Sequence, residues 1–264
     1  MQTDPRNDLL LGAIATQAAI HGGQREVYRV WLDRDRDDDA GRKLRAACKH
    51  HDIRYSPASK DALAAATEKI GGGHGGVVAE VGTRKFVDPG ELFEGSTFLA
   101  MLDGVEDPFN FGQAVRSLYA AGCTGLFVRQ RNWTRGSAGA AAVIARASAG
   151  ATERIAMAVV DGPEDAAELA EPKGFMVAAT GQSDDAVSFS RVDFRGPTLL
   201  MIGGERRGLR RSFLAQCEAV VAIPYGPEVK FAGALGTVAA TSVLAFEIAR
   251  QRGEADVPTD AVQS

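Results

Sequence analysis

Short apolar segments that alternate with stretches of helical periodicity, from residue 97 onward, constrain the fold of this chain most strongly. Each segment is apolar almost without interruption, which is typical of a parallel strand buried on both faces of a sheet. The stretches between them are long enough for the helices that connect parallel strands. The sequence therefore predicts an α/β domain with a parallel sheet, whose strands are Thr97–Leu102, Gly125–Val128, Phe175–Ala179, Thr198–Ile202 and Ala219–Ile223.

A smaller pattern of alternating helices and strands precedes this domain. It has strands at Val27–Leu32 and Val77–Val81 and a charged helix at Arg42–His51, which together predict a compact α/β unit. The stretch after it lacks strong periodicity and indicates a linker. The predicted organisation is an N-terminal domain at 1–82, a linker at 83–96, a main domain at 97–253 and a disordered tail at 254–264.

Composition excludes several classes of protein. Of the 264 residues, 45% are apolar and 24% are charged, as in ordinary folded proteins with a substantial core. The three cysteines lack the spacing of a zinc site or a disulfide framework, which predicts no metal and a cytoplasmic location. We expect neither a signal peptide nor a membrane role, because no apolar stretch approaches the roughly 18 residues of a spanning helix.

The charge distribution leaves nucleic-acid binding open. A net charge of −4 argues against non-specific binding to phosphate backbones. Two basic clusters, one around Trp133 and one at 206–211, are explained equally well as solvated faces. The glycine-rich stretch at 71–76 precedes a strand and lacks the spacing of a phosphate-binding loop, so a flexible loop is favoured and its His74 is expected to be structural.

A helix is predicted directly after the first strand of the main domain. Asn110 is a favourable N-cap for it, and Gly122 lies where a C-terminal stop is expected. Arg116 flanks the apolar stripe of this helix and is expected to point into a cleft. The stripe consists of Phe111, Ala114, Val115 and Leu118.

The strongest functional signal is the order of several motifs in the main domain. Leu102–Gly112, followed by Arg116 and Ala120–Gly122, resembles the first motif of the SpoU/TrmH branch of the SPOUT RNA methyltransferases. Gly203–Gly208, which follows a predicted strand, and Ile223-Pro224 resemble the second motif of that family. Further landmarks of the family are similar to Ala147–Ala151, Phe246-Glu247 and Arg250-Gln251.

This resemblance implies a fold and a reaction. It implies a parallel sheet with a deep trefoil knot, which periodicity alone would not predict because knots are rare. It also implies S-adenosyl-L-methionine as cofactor, transfer of a methyl group to a ribose 2'-hydroxyl of ribosomal or transfer RNA, and a homodimer formed by the C-terminal domains. His74–Ala79 is similar to part of the family's N-terminal substrate domain, which implies a small α/β RNA-binding domain like that of certain ribosomal proteins.

The resemblance also assigns roles to individual residues. The family's active-site positions correspond to Asn110, Arg116 and Glu205. Because arginine keeps its proton in proteins, we expect Arg116 to clamp a phosphate and position the hydroxyl rather than to act as a base. The implied cofactor site consists of Thr180, Gly181, Gly203, Gly204, Gly208, Ile223, Pro224, Leu235 and Gly236.

The third motif departs from the family pattern. The family usually has Ser-Leu-Asn where this chain has Ala234-Leu235-Gly236, and the stretch Tyr225–Gly233 is longer than the pattern. Two polar side chains are thus missing, and Lys230 or Thr237 are candidates to replace them. Since groups that position a nucleophile contribute strongly to rate, a knotted RNA-binding protein without catalysis, acting in ribosome assembly, is a second hypothesis. An unrelated nucleotide-binding enzyme is a third, but the phosphate-loop patterns are missing.

Overall fold

The computed structural model describes residues 4, 7–71, 73–130, 139–183, 185–204, 207–229 and 233–253. They fall into two compact units. The first unit draws on 1–86, 107–116 and 130–156, and the second draws on 87–106, 117–129 and 157–264. Each unit is therefore assembled from three separate stretches of chain, and the domain boundaries given above remain a prediction. The predicted tail at 254–264 and residues 131–138, with Trp133 and most of its basic cluster, lie outside the described residues. Arg129 of that cluster is described, and its guanidinium lies 3.3 Å from the Asp103 carboxylate.

Helices and strands alternate along most of the described chain. The α-helices are α1 (Ala13–Gly22), α2 (Asp39–His50), α3 (Lys60–Thr67), α4 (Pro108–Ala120), α5 (Ala140–Ala147), α6 (Pro163–Ala170), α7 (Arg211–Leu214) and α8 (Thr237–Gln251). The strands are β1 (Asp8–Leu11), β2 (Val27–Asp33), β3 (Arg54–Ala58), β4 (Val77–Val81), β5 (Phe98–Asp103), β6 (Gly125–Arg129), β7 (Ala156–Val160), β8 (Met176–Thr180), β9 (Val187–Ser188), β10 (Thr198–Gly203) and β11 (Ala219–Ala222). Among the described helices, none has the length and apolar character needed to cross a membrane.

The first unit is built around a four-stranded sheet with the order β1-β4-β2-β3. Strand β4 runs antiparallel to β1 and β2, whereas β2 and β3 are parallel. Val77, Ala79 and Val81 pack in one apolar cluster with residues of α1 and α2, and Val78 packs in another with Trp31. Burial on both faces of the sheet explains why β4 is apolar at nearly every position.

Buried charges also hold the first unit together. The Glu153 carboxylate lies 3.0 Å from Nε of Arg25 and 3.7 Å from Nη1 of Arg84, and Nη1 of Arg25 reaches Asp8 at 2.8 Å. Nη2 of Arg84 donates to the carbonyl oxygen of Ile155 at 2.8 Å. Burial lowers the pKa of Arg84 to about 10, while the adjacent Glu153 opposes that shift, so Arg84 is charged at neutral pH.

The second unit contains a seven-stranded sheet with the order β7-β6-β5-β10-β8-β11-β9. The strand pairs β5–β6, β5–β10, β8–β10, β8–β11 and β9–β11 are all parallel. The predicted parallel sheet is therefore confirmed, and each predicted strand is present within two residues of its expected ends. In β10 the register pairs Gly203 with Asp103 and Met201 with Ala179, so the carboxyl ends of three neighbouring strands meet at one edge.

A short helix lies within the predicted linker. Pro89–Phe93 forms a 3-10 helix whose Leu92 and Phe93 are buried. The Phe93 ring packs on Phe127 and Phe175, with ring centroids 5.5 and 5.1 Å apart. Five residues are too few to show helical periodicity, which is why the sequence pattern does not reveal this element.

The C-terminal end of α8 is fixed at the amino ends of the second sheet. The Arg252 guanidinium donates to the carbonyl oxygens of Phe194 (2.9 Å), Gly196 (2.7 Å) and Thr97 (3.1 Å). It also lies 5.5 Å from the ring centre of Phe98. Backbone carbonyl oxygens of three residues thus bind this guanidinium in the second unit.

Candidate active site

Helix α4 carries two of the predicted catalytic residues. Oδ1 of Asp107 accepts a hydrogen bond from the backbone N–H of Asn110 at 2.8 Å, so Asp107 caps the helix. The prediction that Asn110 is the N-cap is wrong, since Asn110 is the third residue of the helix and partly buried. Pro108 explains the difference, because proline has no N–H and its φ is preset for the first helical position, which leaves the preceding residue to cap.

Helix α4 packs closely on α5 within the first unit. A Cβ atom on Gly112 would lie 2.7 Å from the carbonyl oxygen of Ile144 and 2.8 Å from Cβ of Ala147. The glycine of the first motif therefore permits this close contact. At the C-terminal end, Gly122 has a φ of 88° and stops the helix as predicted. The apolar stripe is also confirmed, because its members Phe111, Ala114, Val115 and Leu118 are all buried.

Arg116 lies on the exposed side of α4. Its side chain makes no hydrogen bond or ion pair with another residue that the structure describes, so its guanidinium donors can bind a phosphate. Asn110 and Arg116 belong to the first unit, whereas the predicted cofactor residues belong to the second. Glu205, the third predicted catalytic residue, and Lys230 lie outside the described residues.

The predicted cofactor residues gather where the parallel strands of the second unit end. The N–H of Gly203, at the end of β10, donates to Oγ1 of Thr180, at the end of β8, at 3.2 Å. Val221 of β11 pairs with Thr180, and its carbonyl oxygen accepts from the N–H of Gly181 at 3.2 Å. Ile223-Pro224 follow β11 directly. In open parallel sheets, ligands bind outside this edge.

The loop after β10 can be built only from glycine at two positions. A Cβ atom on Gly203 would lie 2.7 Å from the backbone nitrogen of Leu209, and one on Gly204 would overlap the carbonyl group of Gly104. Gly208 has a φ of 61° and donates its N–H to the carbonyl oxygen of Gly204 at 3.1 Å. The backbone is therefore close-packed at Gly203 and Gly204.

A tyrosine that the sequence does not single out organises the segment before α8. The hydroxyl of Tyr225 accepts from the N–H of Leu235 at 2.9 Å and donates to the carbonyl oxygen of Gly233 at 3.3 Å. Oγ1 of Thr237 donates to the carbonyl oxygen of Gly203 at 3.5 Å, the limit of a hydrogen bond. No sequence pattern marks a lone tyrosine for this role.

The structure thus brings several predicted residues together. Hydrogen bonds or tight backbone packing join Thr180, Gly203, Gly204 and Gly208 to one another. Leu235 is held by Tyr225, and Gly236 is the N-cap of α8. That these residues bind the cofactor remains a prediction.

Possible metal ligands and thiols in the described part of the chain lie apart from one another or are weak acids. It contains no group of three or more His, Cys, Asp or Glu side chains that could hold a metal ion. Burial raises the pKa of the Cys123 thiol to about 12 and that of Cys48 to about 11. Burial, together with Glu164 and Glu218, raises the pKa of Cys217 to about 11. These thiols are poor nucleophiles at neutral pH.

Comparison with known sequences gives a consistent result. Residues 97–231, slightly more than half of the chain, match the family model described as the SpoU rRNA Methylase family. The chain is 29% identical over 252 residues to the 23S rRNA (guanosine-2'-O-)-methyltransferase RlmB of Shewanella oneidensis, which covers 94% of this chain and 98% of that relative. The enzyme of the same name from Pseudomonas aeruginosa is 30% identical over 247 residues, covering 91% and 95%.

Solved structures have the same fold over nearly the entire chain. The SpoU methyltransferase AviRb from Streptomyces viridochromogenes, in complex with AdoMet, aligns with a TM-score of 0.73 at 24% identity and covers 94% of this chain and 91% of that one. An AdoMet-bound rRNA methyltransferase from Sinorhizobium meliloti aligns with a TM-score of 0.72 at 20% identity, covering 93% and 87%. Both likenesses concern the fold.

Proposed function

Because the chain belongs to the SpoU rRNA methylase family, we propose that it methylates a ribose 2'-hydroxyl of 23S ribosomal RNA, at a guanosine, with S-adenosylmethionine as methyl donor. The match of residues 97–231 to that family is the observation that carries the proposal. The relatives named as 23S rRNA guanosine-2'-O-methyltransferases support the nucleotide and the RNA. Such a substrate is consistent with a cytoplasmic location.

Three glycines at the carboxyl edge of the second sheet suit a binding site for the cofactor. Gly203, Gly204 and Gly208 present a close-packed backbone in which Cβ atoms on the first two would meet backbone atoms, as expected where a ligand contacts main-chain groups. Thr180 and the Tyr225-held Leu235 complete the proposed pocket. When bound, S-adenosylmethionine supplies a sulfonium methyl group, which the ribose oxygen takes as its C–O bond forms and the C–S bond breaks.

Arg116 is the residue that we assign to the substrate. Its exposed guanidinium binds a phosphate next to the target ribose and thereby orients the 2'-hydroxyl. Orientation of two reactants supplies a large part of a barrier of this kind. Arginine keeps its proton in proteins, so the hydroxyl proton passes to a phosphate oxygen or to water. Asn110 and Glu205 are the further active-site residues of this proposal.

The chain achieves catalysis without the two polar side chains that its third motif lacks. Tyr225 fixes the backbone of Leu235, and Thr237 offers a hydroxyl at the first residue of α8, next to Gly203. We assign to these two residues the ordering of the segment at Ala234–Gly236. The alternative of a protein without catalysis is not favoured, since the family and the named relatives are methyltransferases.

Three further properties belong to this proposal. The second unit has the deep trefoil knot of the family, for which the insertion of β10 between β5 and β8 is the supporting observation. The protein is a homodimer through its C-terminal domain, and the exposed Val243 and Phe246 on α8 offer an apolar stripe for it. The N-terminal domain at 1–82, joined by the linker at 83–96 to the domain at 97–253, binds the RNA.

Calorimetry and methyl transfer test the proposal together. We expect the purified protein to bind S-adenosylmethionine and to transfer its labelled methyl group to a 23S rRNA transcript, but not to an equal mass of transfer RNA. Arg116→Ala should keep cofactor affinity and lose transfer by two orders of magnitude or more, whereas Arg191→Ala, on an exposed residue of the second unit, should keep both. RNA binding without cofactor binding would contradict the proposal.

A further inference from the structure

An exposed phenylalanine lies beside the predicted catalytic residues. Phe109 is the second residue of α4, and half of its surface (50%) is exposed. Phe111, two positions later, is 1% exposed and belongs to the buried stripe. Phe109 is therefore not needed for the apolar face of α4, and its ring faces solvent in the first unit.

Helical geometry aligns this ring with Arg116. Seven residues separate Phe109 from Arg116, which corresponds to about 700° of rotation, or about 20° less than two full turns, and to about 10 Å along the helix axis. Both side chains are exposed, so they lie on one stripe of α4. Two groups on one face of α4 can therefore contact the same segment of RNA.

The two side chains offer complementary chemistry to RNA. The Arg116 side chain has no hydrogen bond or ion pair within the described chain, and its positive charge attracts a phosphate. A phenyl ring has no hydrogen-bonding group, so what it offers to a nucleic acid is its face. Proteins that recognise unpaired RNA bases stack them on such aromatic side chains.

We propose that Phe109 stacks on the unpaired base of the nucleotide whose ribose is methylated, while Arg116 holds its phosphate. This inference rests on the proposed function, because it assumes that the 2'-hydroxyl is presented to α4. Phe109 is then a positioning residue, since it binds the base and not the reacting atoms. Stacking is tolerant of sequence, so Phe109 contributes affinity and register while base identity is read elsewhere.

Two substitutions at one position separate stacking from apolar contact. Phe109→Leu keeps an apolar side chain but removes the ring face, whereas Phe109→Trp keeps a ring. With a 23S rRNA transcript as the probe, we expect Phe109→Leu to raise the RNA Kd and the KM about 5- to 150-fold. Phe109→Trp should restore both to within about threefold. Cofactor affinity should be unchanged in either variant, which shows that the fold is intact.

A matched control and the remaining outcomes complete the test. Leu169→Ala removes an exposed apolar side chain from α6 and should change neither RNA Kd nor KM. An unchanged RNA Kd in Phe109→Leu, or an equal loss in Phe109→Leu and Phe109→Trp, would overturn the stacking role. If the wild-type protein transfers no methyl group to RNA although its RNA affinity depends on the Phe109 ring, the proposed function fails and the stacking contact stands.

Discussion

The two units hold their loops in place by different forces. In the first unit, the Glu153 carboxylate is buried against Arg25 and Arg84, and these contacts tie Glu153 to the segments before β2 and after β4. In the second unit, the residues that we assign to the cofactor are held by glycine-to-backbone packing and by neutral hydrogen bonds, and the ion pair of Arg129 with Asp103 at the same edge is partly exposed. At the opposite, amino edge of this sheet, the Arg252 guanidinium donates to carbonyl oxygens.

Because of this difference, we expect the two units to respond differently to the loss of a charged group and to the addition of a methyl group. A buried ion pair is costly to break on one side, because the remaining charge is left without a partner in a poorly solvated place. A close-packed glycine loop is insensitive to charge but intolerant of a single added methyl group. The first unit should therefore fail through unpaired charge, and the second through steric overlap.

The largest expected effect is the loss of the buried carboxylate. Glu153→Gln leaves Arg25 and Arg84 without their shared counter-charge, and we expect the free energy of unfolding to fall by about 3–5 kcal/mol. Urea denaturation followed by circular dichroism measures it. Glu171→Gln, on an exposed residue, is the control and should change stability by less than about 0.5 kcal/mol. A similarly small change in Glu153→Gln would mean that buried charge does not stabilise the first unit.

The next largest effect is expected from a substitution that introduces steric overlap in the second unit. In Gly204→Ala the new methyl group overlaps the Gly104 carbonyl, and displacing this loop should weaken S-adenosylmethionine binding about 5- to 150-fold, as for an overpacking cost of about 1–3 kcal/mol. Calorimetry gives the Kd. Gly196→Ala is the matched control, because nothing lies within 4 Å of its Cβ position. Equal affinities of the two variants for S-adenosylmethionine would mean that Gly204 is not part of the cofactor site.

A smaller effect is expected from one hydroxyl. Tyr225→Phe removes the acceptor of the Leu235 N–H and the donor to Gly233. A neutral hydrogen bond contributes about 0.5–1.5 kcal/mol, so S-adenosylmethionine affinity should fall about 2- to 12-fold if this hydroxyl orders the pocket. Tyr119→Phe, on an exposed tyrosine of α4, should leave the affinity unchanged. A loss as large as that of Gly204→Ala would show that the second unit depends on single polar contacts after all.

The smallest expected effect is that of two nearby carboxylates on the Cys217 thiol in the second unit. Burial, Glu164 and Glu218 raise the pKa of Cys217 to about 11. Its alkylation by iodoacetamide at pH 8 should thus be roughly two orders of magnitude slower than that of a free cysteine, whose pKa is about 8.5. The rate should rise about tenfold per pH unit up to pH 11. Glu218→Gln should raise it a few-fold, and mass spectrometry of the alkylated protein follows the reaction.

The sequence predicted most of the second sheet and few of the contacts at its edge. Apolar runs such as Thr198–Ile202 are recognisable because burial on both faces of a parallel strand excludes polar residues. The 3-10 helix at Pro89–Phe93 is not visible in the sequence because five residues show no period. The sequence does not distinguish Asn110 from Asp107 as the cap because both Asn and Asp cap well, and only the helical position of Pro108 decides between them.

The contacts of the candidate site join residues that are far apart in the chain, and a single sequence does not reveal which distant residues meet. Tyr225 reaches Leu235 across ten residues, and Gly204 meets Gly104 across a hundred. Motif order located the glycines, because their spacing after a strand is recognisable. The partners of these glycines and the bonds of the tyrosine hydroxyl became visible only in three dimensions.

Nucleoside analysis of methylated RNA tests the central claim most directly. A 23S rRNA transcript is incubated with the protein and S-adenosylmethionine carrying a labelled methyl group, digested to nucleosides and analysed by mass spectrometry. We expect label in 2'-O-methylguanosine at one position for the wild-type protein, and in Arg116→Ala at least a hundredfold less label at unchanged cofactor affinity. Label on a base, or equal label in both proteins, would contradict the central claim.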